Sequence, residues 1–571
     1  MLPSSDLSEA VLYHQQGLWE KAEQLYLAIL AEDPDNIDVL HLIGILYGQI
    51  GQYSAAQEYL DRVLVLSPNN ATYHNSMANI KKHLNDIDGA ISHYQTAISL
   101  NPESTTAYNN LAFLQTVQGQ LDQAKVNAEK AFRINPDNPE SHYTLGLIAL
   151  KRDNSSVAIT ELRQTLRLNP QHIQALYTLA QQLQQSNDPT DLNEAIVHYQ
   201  TLLKHQPNFT DAMVNYASAL LQQDKRQQSD EALKIFYRVL EIDPDHYEAH
   251  YNLGCLFLEK QEIQLALKHF IKAIAKKPTA VAYYNIGVIY SYQDRHDDAL
   301  NYLIKAIEIN PNYFAAYNNL GTVYLKLENI SKAIESFAAA LKIEPGNEEI
   351  AYILSALKQE KSHDRAPKNY VEHLFDQYAP YFDQHLLEHL KYETPKMLYE
   401  AVMETLRDDL HSRPVLDLGC GTGLAGELFK DIASPLVGVD LSSQMIAKLE
   451  QKNLYDELIV GDLFDALKTH QHNELIIAAD VLTYLGDLSS LFHAVHQALL
   501  PTGLFAFTIE VAPDNIDTYT LQHSIRYAHS PQYIQQLATK NHLNLIIKRK
   551  ITLRLQHNKP LEGLLFIAQK S

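Results

Sequence analysis

The stretch AYNNLGTVYLKLENISKAIESFAAALKIEPGN, residues 316–347, shows a pattern that recurs through the first 360 residues of the chain. Each recurrence ends near a proline: Pro34, Pro68, Pro102, Pro136, Pro170, Pro207, Pro244, Pro278, Pro311 and Pro345. An alanine stands 12 residues before these prolines, where a small side chain lets two helices approach closely. A period near 34 residues predicts a solenoid of paired helices. Two spacings of 37 residues predict short insertions near residues 187–191 and 222–230.

With these features the segment resembles the tetratricopeptide repeat (TPR) family. We count about ten repeats over residues 3–347. The following stretch EEIAYILSALKQE, residues 348–360, predicts a helix that closes the open end of the array. The predicted N-terminal domain is therefore an all-α TPR solenoid with a capping helix, covering residues 1–360.

Stacked repeats leave a long concave groove, where the partners of such solenoids usually bind. One position in the first helix carries asparagine in five units: Asn110, Asn215, Asn252, Asn285 and Asn319. Either this ladder of amides hydrogen-bonds an extended protein or peptide partner, or asparagine merely suits the helix position. Tyrosines interleaved with the ladder favour packing between repeats over contacts with a partner.

After residue 360 the 34-residue period disappears. Residues 361–404 predict a polar linker followed by helices, and residues 405–571 alternate apolar runs with helical patterns. Seven runs predict strands, at residues 414–418, 436–440, 457–460, 474–480, 504–510, 543–550 and 561–569. Strands that alternate with helices predict a Rossmann-like α/β domain with a mainly parallel, seven-stranded sheet.

The segment PVLDLGCGTG, residues 414–423, places a glycine loop directly after the first predicted strand. The glycines are Gly419, Gly421 and Gly423. Glycines let the backbone of a turn approach a ligand closely. The dinucleotide fingerprint G-x-G-x-x-G fails here, because Leu424 stands at the third glycine position. The preceding Asp417 would repel a phosphate but suits a cation, which indicates S-adenosylmethionine (SAM), with its sulfonium and ammonium groups.

Acidic residues follow the next two strands. Asp440 ends the second strand, and Asp462 follows the third, beside Leu463. With these positions residues 405–571 resemble the class I SAM-dependent methyltransferases. The resemblance implies that the glycine loop holds the methionine part of SAM and that Asp440 holds the ribose. Asp417 belongs to the same cofactor set, while Asp462 would accept from the adenine amino group against the apolar wall of Leu463.

The segment YVEHLFDQYAPYFDQHLLEHLKYETPKML, residues 370–398, also resembles the lead-in helices of small-molecule and TPR-fused bacterial methyltransferases. In such enzymes these helices cover the SAM pocket, and we call residues 361–404 the lid segment. Its aromatic side chains either line that pocket or pack the helices on the sheet. They are Phe375, Tyr378, Tyr381 and Phe382.

Removing a proton from an oxygen or nitrogen acceptor requires a base. The candidates for this catalytic role are Asp480, Glu510 and His529, with Tyr484 in a similarly suitable place. In the neighbouring sequence IRYAHS, Arg526 either binds substrate or caps the next helix. The motif ADVLTYL after the fourth strand differs from the N-P-P-Y type, which argues against DNA adenine or glutamine-amide methylation. Without an H-E-x-x-H motif or Cys/His cluster, we expect no metal site.

The composition narrows the class of protein. Among 571 residues there are 68 acidic and 46 basic side chains, a net charge of −22, which disfavours nucleic acid as a partner. Two cysteines exclude a disulfide scaffold. The N-terminus lacks a signal-peptide pattern, and no run of 18 apolar residues predicts a membrane span. We therefore expect a cytoplasmic protein that does not engage membranes.

Together these features predict a SAM-dependent methyltransferase whose TPR array recruits a protein or peptide. One alternative is a small-molecule methyltransferase that uses the repeats only for assembly. A second alternative is an interaction scaffold whose SAM-binding domain has no catalytic role.

Overall fold

A computed structural model describes residues 4–186, 188–360, 363–407, 411–556 and 559–571. The chain divides into two compact units, Met1–Lys277 and Pro278–Ser571. This division falls inside the helical array, and the domain boundaries expected after residues 360 and 404 stay predictions. Two predicted features lie partly outside the described residues: the insertion at residue 187 and the linker at 361–362.

The first unit is a helical solenoid in which consecutive helices pack as pairs. Its described helices are α1 Ser4–Gln15, α2 Trp19–Glu32, α3 Ile37–Gln49, α4 Tyr53–Leu66, α5 Ala71–His83, α6 Ile87–Leu100, α7 Thr105–Val117, α8 Leu121–Ile134, α9 Pro139–Lys151, α10 Ser155–Leu168, α11 Ile173–Gln184, α12 Pro189–His205, α13 Thr210–Gln223, α14 Lys225–Ile242, α15 Tyr247–Glu259 and α16 Ile263–Lys276.

Small residues at repeated positions allow these pairs to touch. The alanines that precede the prolines, such as Ala22 and Ala56, are completely buried. A Cβ atom added to Gly254 of α15 would lie 2.6 Å from the ring of Phe270 in α16. Any larger side chain there would push the two helices apart, which explains why small residues recur at the interface.

In the two repeats with a 37-residue spacing, the second helix is longer than in neighbouring repeats. Helices α12 and α14 have 17 and 18 residues, whereas α10 and α16 have 14. The extra residues extend the N-terminal ends of α12 and α14, where the sequence predicts insertions.

The second unit begins with α17 Ala280–Tyr292, α18 His296–Ile309, α19 Phe314–Lys326, α20 Ile330–Ile343 and α21 Glu348–Lys358. The lid segment contains α22 Lys368–Tyr378, α23 Phe382–Gln384, a π-helical turn His385–His389 and α24 Thr394–Leu406. The remaining helices are α25 Gly426–Phe429, α26 Ser443–Glu450, α27 Leu463–Thr469, α28 Ser489–Ala498 and α29 Pro531–Lys540. Within the described parts of both units, every helix is too short or too polar to cross a membrane.

The second unit also holds a mixed sheet. Its strands are β1 Arg413–Leu418, β2 Ala433–Asp440, β3 Glu457–Val460, β4 Asn473–Ala478, β5 Leu499–Val511, β6 Tyr519–Leu521, β7 Tyr527–His529, β8 Leu543–Gln556 and β9 Lys559–Lys570. The order is β3-β2-β1-β4-β5-β7-β6, with β9 between β5 and β8. All pairs among β1–β5 and the β5–β7 pair are parallel. The seven predicted strands are present, and β6 and β7 form an additional hairpin.

Alternate residues of the sheet enter two hydrophobic cores. On one face Ile476 of β4 packs in a cluster with Phe492 of α28. On the other face its neighbour Ile477 joins Leu398 of α24 and Phe429 of α25. A central strand that is buried on both faces reads as a continuous apolar run, which is why β4 could be predicted from ELIIAA.

Helix α21 packs against the β6–β7 hairpin and the lid segment. Tyr352 of α21 is completely buried in a cluster with Val371 of α22 and Tyr527 of β7. Its hydroxyl donates a hydrogen bond of 3.2 Å to the carbonyl oxygen of Ile525, in the turn before β7. The predicted capping helix therefore forms and also contributes to the core beside the sheet.

Candidate functional site

A cavity opens at the carboxyl ends of the parallel strands. Strand order reverses between β1 and β4, because β2 follows β1 on one side while β4 lies on the other. In an open α/β sheet, ligands bind in the crevice at such a point. The residues that follow β1 to β4 line this cavity, and among them are Gly419, Gly421, Asp440, Asp462 and Asp480.

The glycine loop after β1 needs its glycines. The φ angles of Gly419, Gly421 and Gly423 are +70°, +52° and +87°, which side chains with a Cβ rarely adopt. A Cβ atom on Gly419 would lie 2.5 Å from Val481, and one on Gly423 would lie 2.5 Å from Leu449. A Cβ atom on Gly421 would meet only Phe382, at 3.7 Å. Gly419 and Gly421 line the cavity, whereas Gly423 packs against α26.

Asp440 links the ends of β1 and β2. Its two carboxylate oxygens accept hydrogen bonds of 2.9 Å from the backbone N–H groups of Gly421 and Ser442. Burial raises the pKa of Asp440, and these hydrogen bonds oppose the rise. Asp440 thus orients the glycine loop and borders the cavity at the same time.

Asp417 lies beneath the loop. It is buried at the end of β1 and accepts a hydrogen bond of 2.6 Å from the hydroxyl of Tyr455. Burial raises its pKa to about 7. The described lining of the cavity does not include Asp417, so in this structure it supports the loop from below.

Asp462 begins α27 and borders the cavity together with Leu463. Its carboxylate caps the helix by accepting from the N–H of Phe464 at 2.9 Å. It also forms ion pairs of 2.8 and 2.9 Å with Arg365 and Lys368, both from the lid segment. Although burial raises the pKa of Asp462, the two cations lower it to below the ordinary value. These ion pairs were not predicted, because the cations lie about 95 residues upstream in the sequence.

The far end of the cavity contains Asp480 and Arg554. Arg554 of β8 is buried and reaches Asp480 Oδ2 with Nη1 and Glu510 Oε1 with Nη2, both at 2.5 Å. Burial raises the pKa of Asp480 to about 6 and that of Glu510 to about 7. Asp480 Oδ1 and Glu510 Oε2 are buried without a hydrogen-bond partner among the described residues. Asp480 lines the cavity, and Glu510 holds Arg554 from behind.

His529 lies apart from the other candidate bases. Its Nε2 donates to the carbonyl oxygens of Leu485 and Gly486, at 2.8 and 3.1 Å. Burial lowers its pKa to about 4, so the ring is neutral at physiological pH. His529 is completely buried and absent from the described lining of the cavity. The structure therefore gives it a role in fixing the loop after β4 and does not support its prediction as a base.

The lid segment supplies aromatic residues to the cavity, which is one of the two alternatives that the sequence left open. Phe375, Tyr378 and Phe382 line it, but Tyr381 is 52% exposed and does not. Asp383 accepts hydrogen bonds from Thr422 Oγ1 and from Lys452 Nζ, the latter at 3.2 Å. Asp376 accepts from Ser442 Oγ at 2.6 Å. The lid is thus tied to the glycine loop and to the residues after β2.

The asparagine ladder connects neighbouring repeats. In the first compact unit, each of three ladder amides donates a hydrogen bond to a residue of the preceding repeat. The pairs are Asn110 with Asn75, Asn215 with Tyr177 and Asn252 with Ser218, at 3.1, 3.2 and 3.4 Å. Asn319 in the second unit donates to the hydroxyl of Tyr284 at 3.1 Å, and Asn285 stands at the same position in its repeat. These contacts favour a structural use of the amides, and their partner-binding role stays a prediction.

The cavity is lined by residues of the α/β domain and of the lid segment. Throughout the described ranges, no group of three or more His, Cys, Asp or Glu residues could hold a metal ion. The cavity lies where strand order reverses, beside the glycine loop and the acids after successive strands, which is the place where open α/β sheets bind ligands.

Models of known protein families match both parts of the chain. Residues 391–558 match a model described as a methyltransferase domain. Models of the tetratricopeptide repeat match residues 13–80, 78–119, 105–138, 224–281 and 278–345. The chain thus joins tetratricopeptide repeats to a methyltransferase domain.

Among curated relatives, Methyltransferase-like protein 27 of Homo sapiens is 36% identical over 87 residues, or 15% of this chain and 35% of the relative. Malonyl-[acyl-carrier protein] O-methyltransferase of Enterobacter lignolyticus is 26% identical over 141 residues, covering 25% of this chain and 53% of the relative. The chain therefore spans about a third to a half of the length of these relatives. Among solved structures, MamA is similar, with 24% identity and a TM-score of 0.26 over 28% of this chain and 94% of MamA.

Proposed function

We propose that the protein is a SAM-dependent methyltransferase whose repeats recruit a protein or peptide partner in the cytoplasm. The observation that carries this proposal is the cavity itself. It combines the glycine loop with three acids that follow different strands, Asp440, Asp462 and Asp480, beneath an aromatic lid. The methyltransferase relatives support the reaction class.

The residues present suit SAM. Gly419 and Gly421 bring bare backbone to the wall of the cavity, where a bulky ligand requires close approach. We assign to Asp440 the acceptance of hydrogen bonds from the ribose hydroxyls and to Leu463 an apolar contact with the adenine ring, because both residues line the cavity. Bound SAM would supply a methyl group activated by the positive sulfonium. The lid aromatics would exclude water and hold the acceptor in line, since alignment contributes much of the rate of such transfers.

Asp480 is the residue that we propose as the base. Arg554 orients one of its oxygens, while Oδ1 remains without a partner among the described residues. A base works best when its pKa lies near the operating pH, and burial raises the pKa of Asp480 to about 6. Glu510 holds the same arginine and would position Asp480 indirectly.

Calorimetric titration of the full chain with SAM tests the cofactor. We expect Asp440→Ala to weaken binding by about 1–3 kcal/mol, because ribose hydroxyls would lose a charged acceptor. Asp465→Ala is a matched control, since this aspartate is 69% exposed in α27. A folded wild-type protein that does not bind SAM would contradict the proposal, and an unchanged Asp440→Ala affinity would contradict the ribose assignment.

The alternatives differ in where the methyl group goes. Incubating the protein with radiolabelled SAM and cell extract distinguishes them, because the label enters either macromolecules or small molecules. Label in macromolecules supports recruitment through the repeats, whereas label in small molecules favours repeats used for assembly. Tight SAM binding without transfer to any acceptor would favour a non-catalytic scaffold.

A further inference from the structure

Arg526 lines the cavity from the turn between β6 and β7. Two hydrogen bonds hold this turn in place, one from helix α21 and one within the hairpin. The carbonyl oxygen of Ile525 accepts from Tyr352, and the carbonyl oxygen of Arg526 accepts from the N–H of Gln522 at 2.8 Å. The side chain of Arg526 is 30% exposed, compared with 4% for Arg554. Arg526 is thus the more accessible of the two guanidinium groups.

The two arginines differ in how closely carboxylates neutralise them. Arg554 contacts Asp480 and Glu510 at 2.5 Å. The ion pair of Arg526 with Glu510 measures 3.9 Å and uses the oxygen that Arg554 already binds. The attraction between charges falls with distance, and a hydrogen bond is lost well before 3.9 Å. Arg526 also hydrogen-bonds Tyr484 and is attracted by the charge of Asp480. Its ion pair with Glu510 is nevertheless long, so its guanidinium has donors that a further anionic group can use.

Three tyrosines share the cavity with this guanidinium. The Cζ atom of Arg526 lies 5.9 Å from the ring centre of Tyr484. Tyr378, Tyr392 and Tyr484 all line the cavity. Burial raises the pKa of all three hydroxyls, and the positive charge of Arg526 opposes part of that rise. We call these four residues the arginine–tyrosine cluster; it offers a planar cation beside phenolic hydrogen-bond donors.

The cluster belongs to the acceptor side of the cavity. The glycine loop follows β1, whereas the hairpin that carries Arg526 pairs with β5, on the other side of β4. A cofactor that contacts the residues after β1, β2 and β3 would lie away from β7. A group bound to Arg526 would therefore belong to the methyl acceptor.

We propose that the methyl acceptor carries a carboxylate and that Arg526 binds it within the arginine–tyrosine cluster. This proposal rests on the methyltransferase function proposed above. A guanidinium matches a carboxylate through two parallel hydrogen bonds, and the phenolic hydroxyls supply further donors. Asp480 and Glu510 would repel a carboxylate at the base of the cavity, but Arg554 neutralises part of their charge.

Binding of small probes to the full chain, saturated with S-adenosylhomocysteine, tests the proposal. The probes are acetate, succinate and glutarate, the uncharged amides acetamide and succinamide, and inorganic phosphate. We expect at least one carboxylate to bind tenfold more tightly than its amide. Arg526→Gln should weaken the binding of that carboxylate about ten- to a hundredfold, because a charged hydrogen-bond donor is lost. The affinity for the corresponding amide should stay unchanged.

Three controls keep the outcomes separate. Arg526→Lys retains the charge and should restore part of the affinity, while Arg549→Gln, on the surface of β8, should change nothing. Wild-type S-adenosylhomocysteine affinity in Arg526→Gln shows that the fold and the cofactor site persist. Equal binding of carboxylates and amides, tighter binding of phosphate than of any carboxylate, or loss of cofactor affinity in Arg526→Gln would overturn the proposal. If the wild type does not bind S-adenosylhomocysteine, the proposed function fails instead, and the probes are then compared without it.

Discussion

At the scale of single residues, the glycine loop offers two positions that share a positive φ but differ in surroundings. We expect Gly419→Ala to abolish SAM binding, because its Cβ would lie 2.5 Å from Val481 behind the loop. Gly421→Ala should weaken binding far less, since its Cβ would be 3.7 Å from the nearest atom, in Phe382. Isothermal titration of both variants measures the difference. Equal losses would mean that φ strain alone, about 1–2 kcal/mol at each position, governs the loop.

The buried carboxyl group of Asp417 should make the free energy of unfolding depend on pH. Its folded-state pKa of about 7 lies above the value near 3.9 in an unfolded chain, so the folded protein binds more protons between these values. The wild type should therefore lose stability relative to Asp417→Asn as pH rises from about 4 to about 7, by at most about 4 kcal/mol. Urea unfolding of both proteins at pH 5, 6, 7 and 8 measures this difference. A difference that is constant with pH would show that Asp417 ionises normally.

Some of these residues could be predicted and others could not. The glycines and Asp440 occupy positions set by the strand before them, so their chemistry is readable locally. Arg554 contacts Asp480 across 74 residues and Glu510 across 44, and no local pattern connects them. His529 illustrates the opposite case, because a polar residue before a predicted helix donates to backbone carbonyl oxygens in the structure.

At the scale of elements, the lid is fastened by two aspartates. Asp383 accepts from Thr422 and Lys452, and Asp376 accepts from Ser442. We expect Asp376→Ala to accelerate SAM release about tenfold, since one charged hydrogen bond is worth roughly 1.5–3 kcal/mol. Stopped-flow displacement measures the release rate. Tyr381→Ala, an exposed change in the same segment, should leave the rate unchanged, and an equal effect of both would indicate general loosening of the lid.

The elements themselves differed in how much the sequence revealed. Strands β1, β4 and β5 are apolar runs buried between helix layers, and their position follows from composition. Strands β6 and β7 contain three residues each, which is too short for an alternating pattern to emerge. That hairpin carries Arg526, so the sequence could single out Arg526 as a polar residue but could not place it at the cavity.

At the scale of the whole molecule, α21 connects the end of the repeats with the methyltransferase domain. We expect Tyr352→Ala to lower the free energy of unfolding of the second unit by about 3–5 kcal/mol, because it leaves a large cavity beside Tyr527. Tyr292→Ala is the control, since Tyr292 is 78% exposed on α17. Denaturant unfolding followed by tyrosine fluorescence measures both. Similar stabilities would mean that α21 adds little to the core.

Tyr352 has a consequence for any attempt to dissect the protein. The repeats suggest a domain boundary after residue 360. A fragment that begins there would lack the side chain of Tyr352, which packs against the β6–β7 hairpin. Loss of the proposed methyltransferase activity in such a fragment would reflect damage to the domain that holds the cavity and would not test the proposed recruitment. The informative fragment begins at Pro278, where the chain divides into its two compact units, because it retains α21 and four further helices of the array. The last repeats thus belong to the same compact unit as the methyltransferase domain, and a fragment that starts at Pro278 keeps the two together.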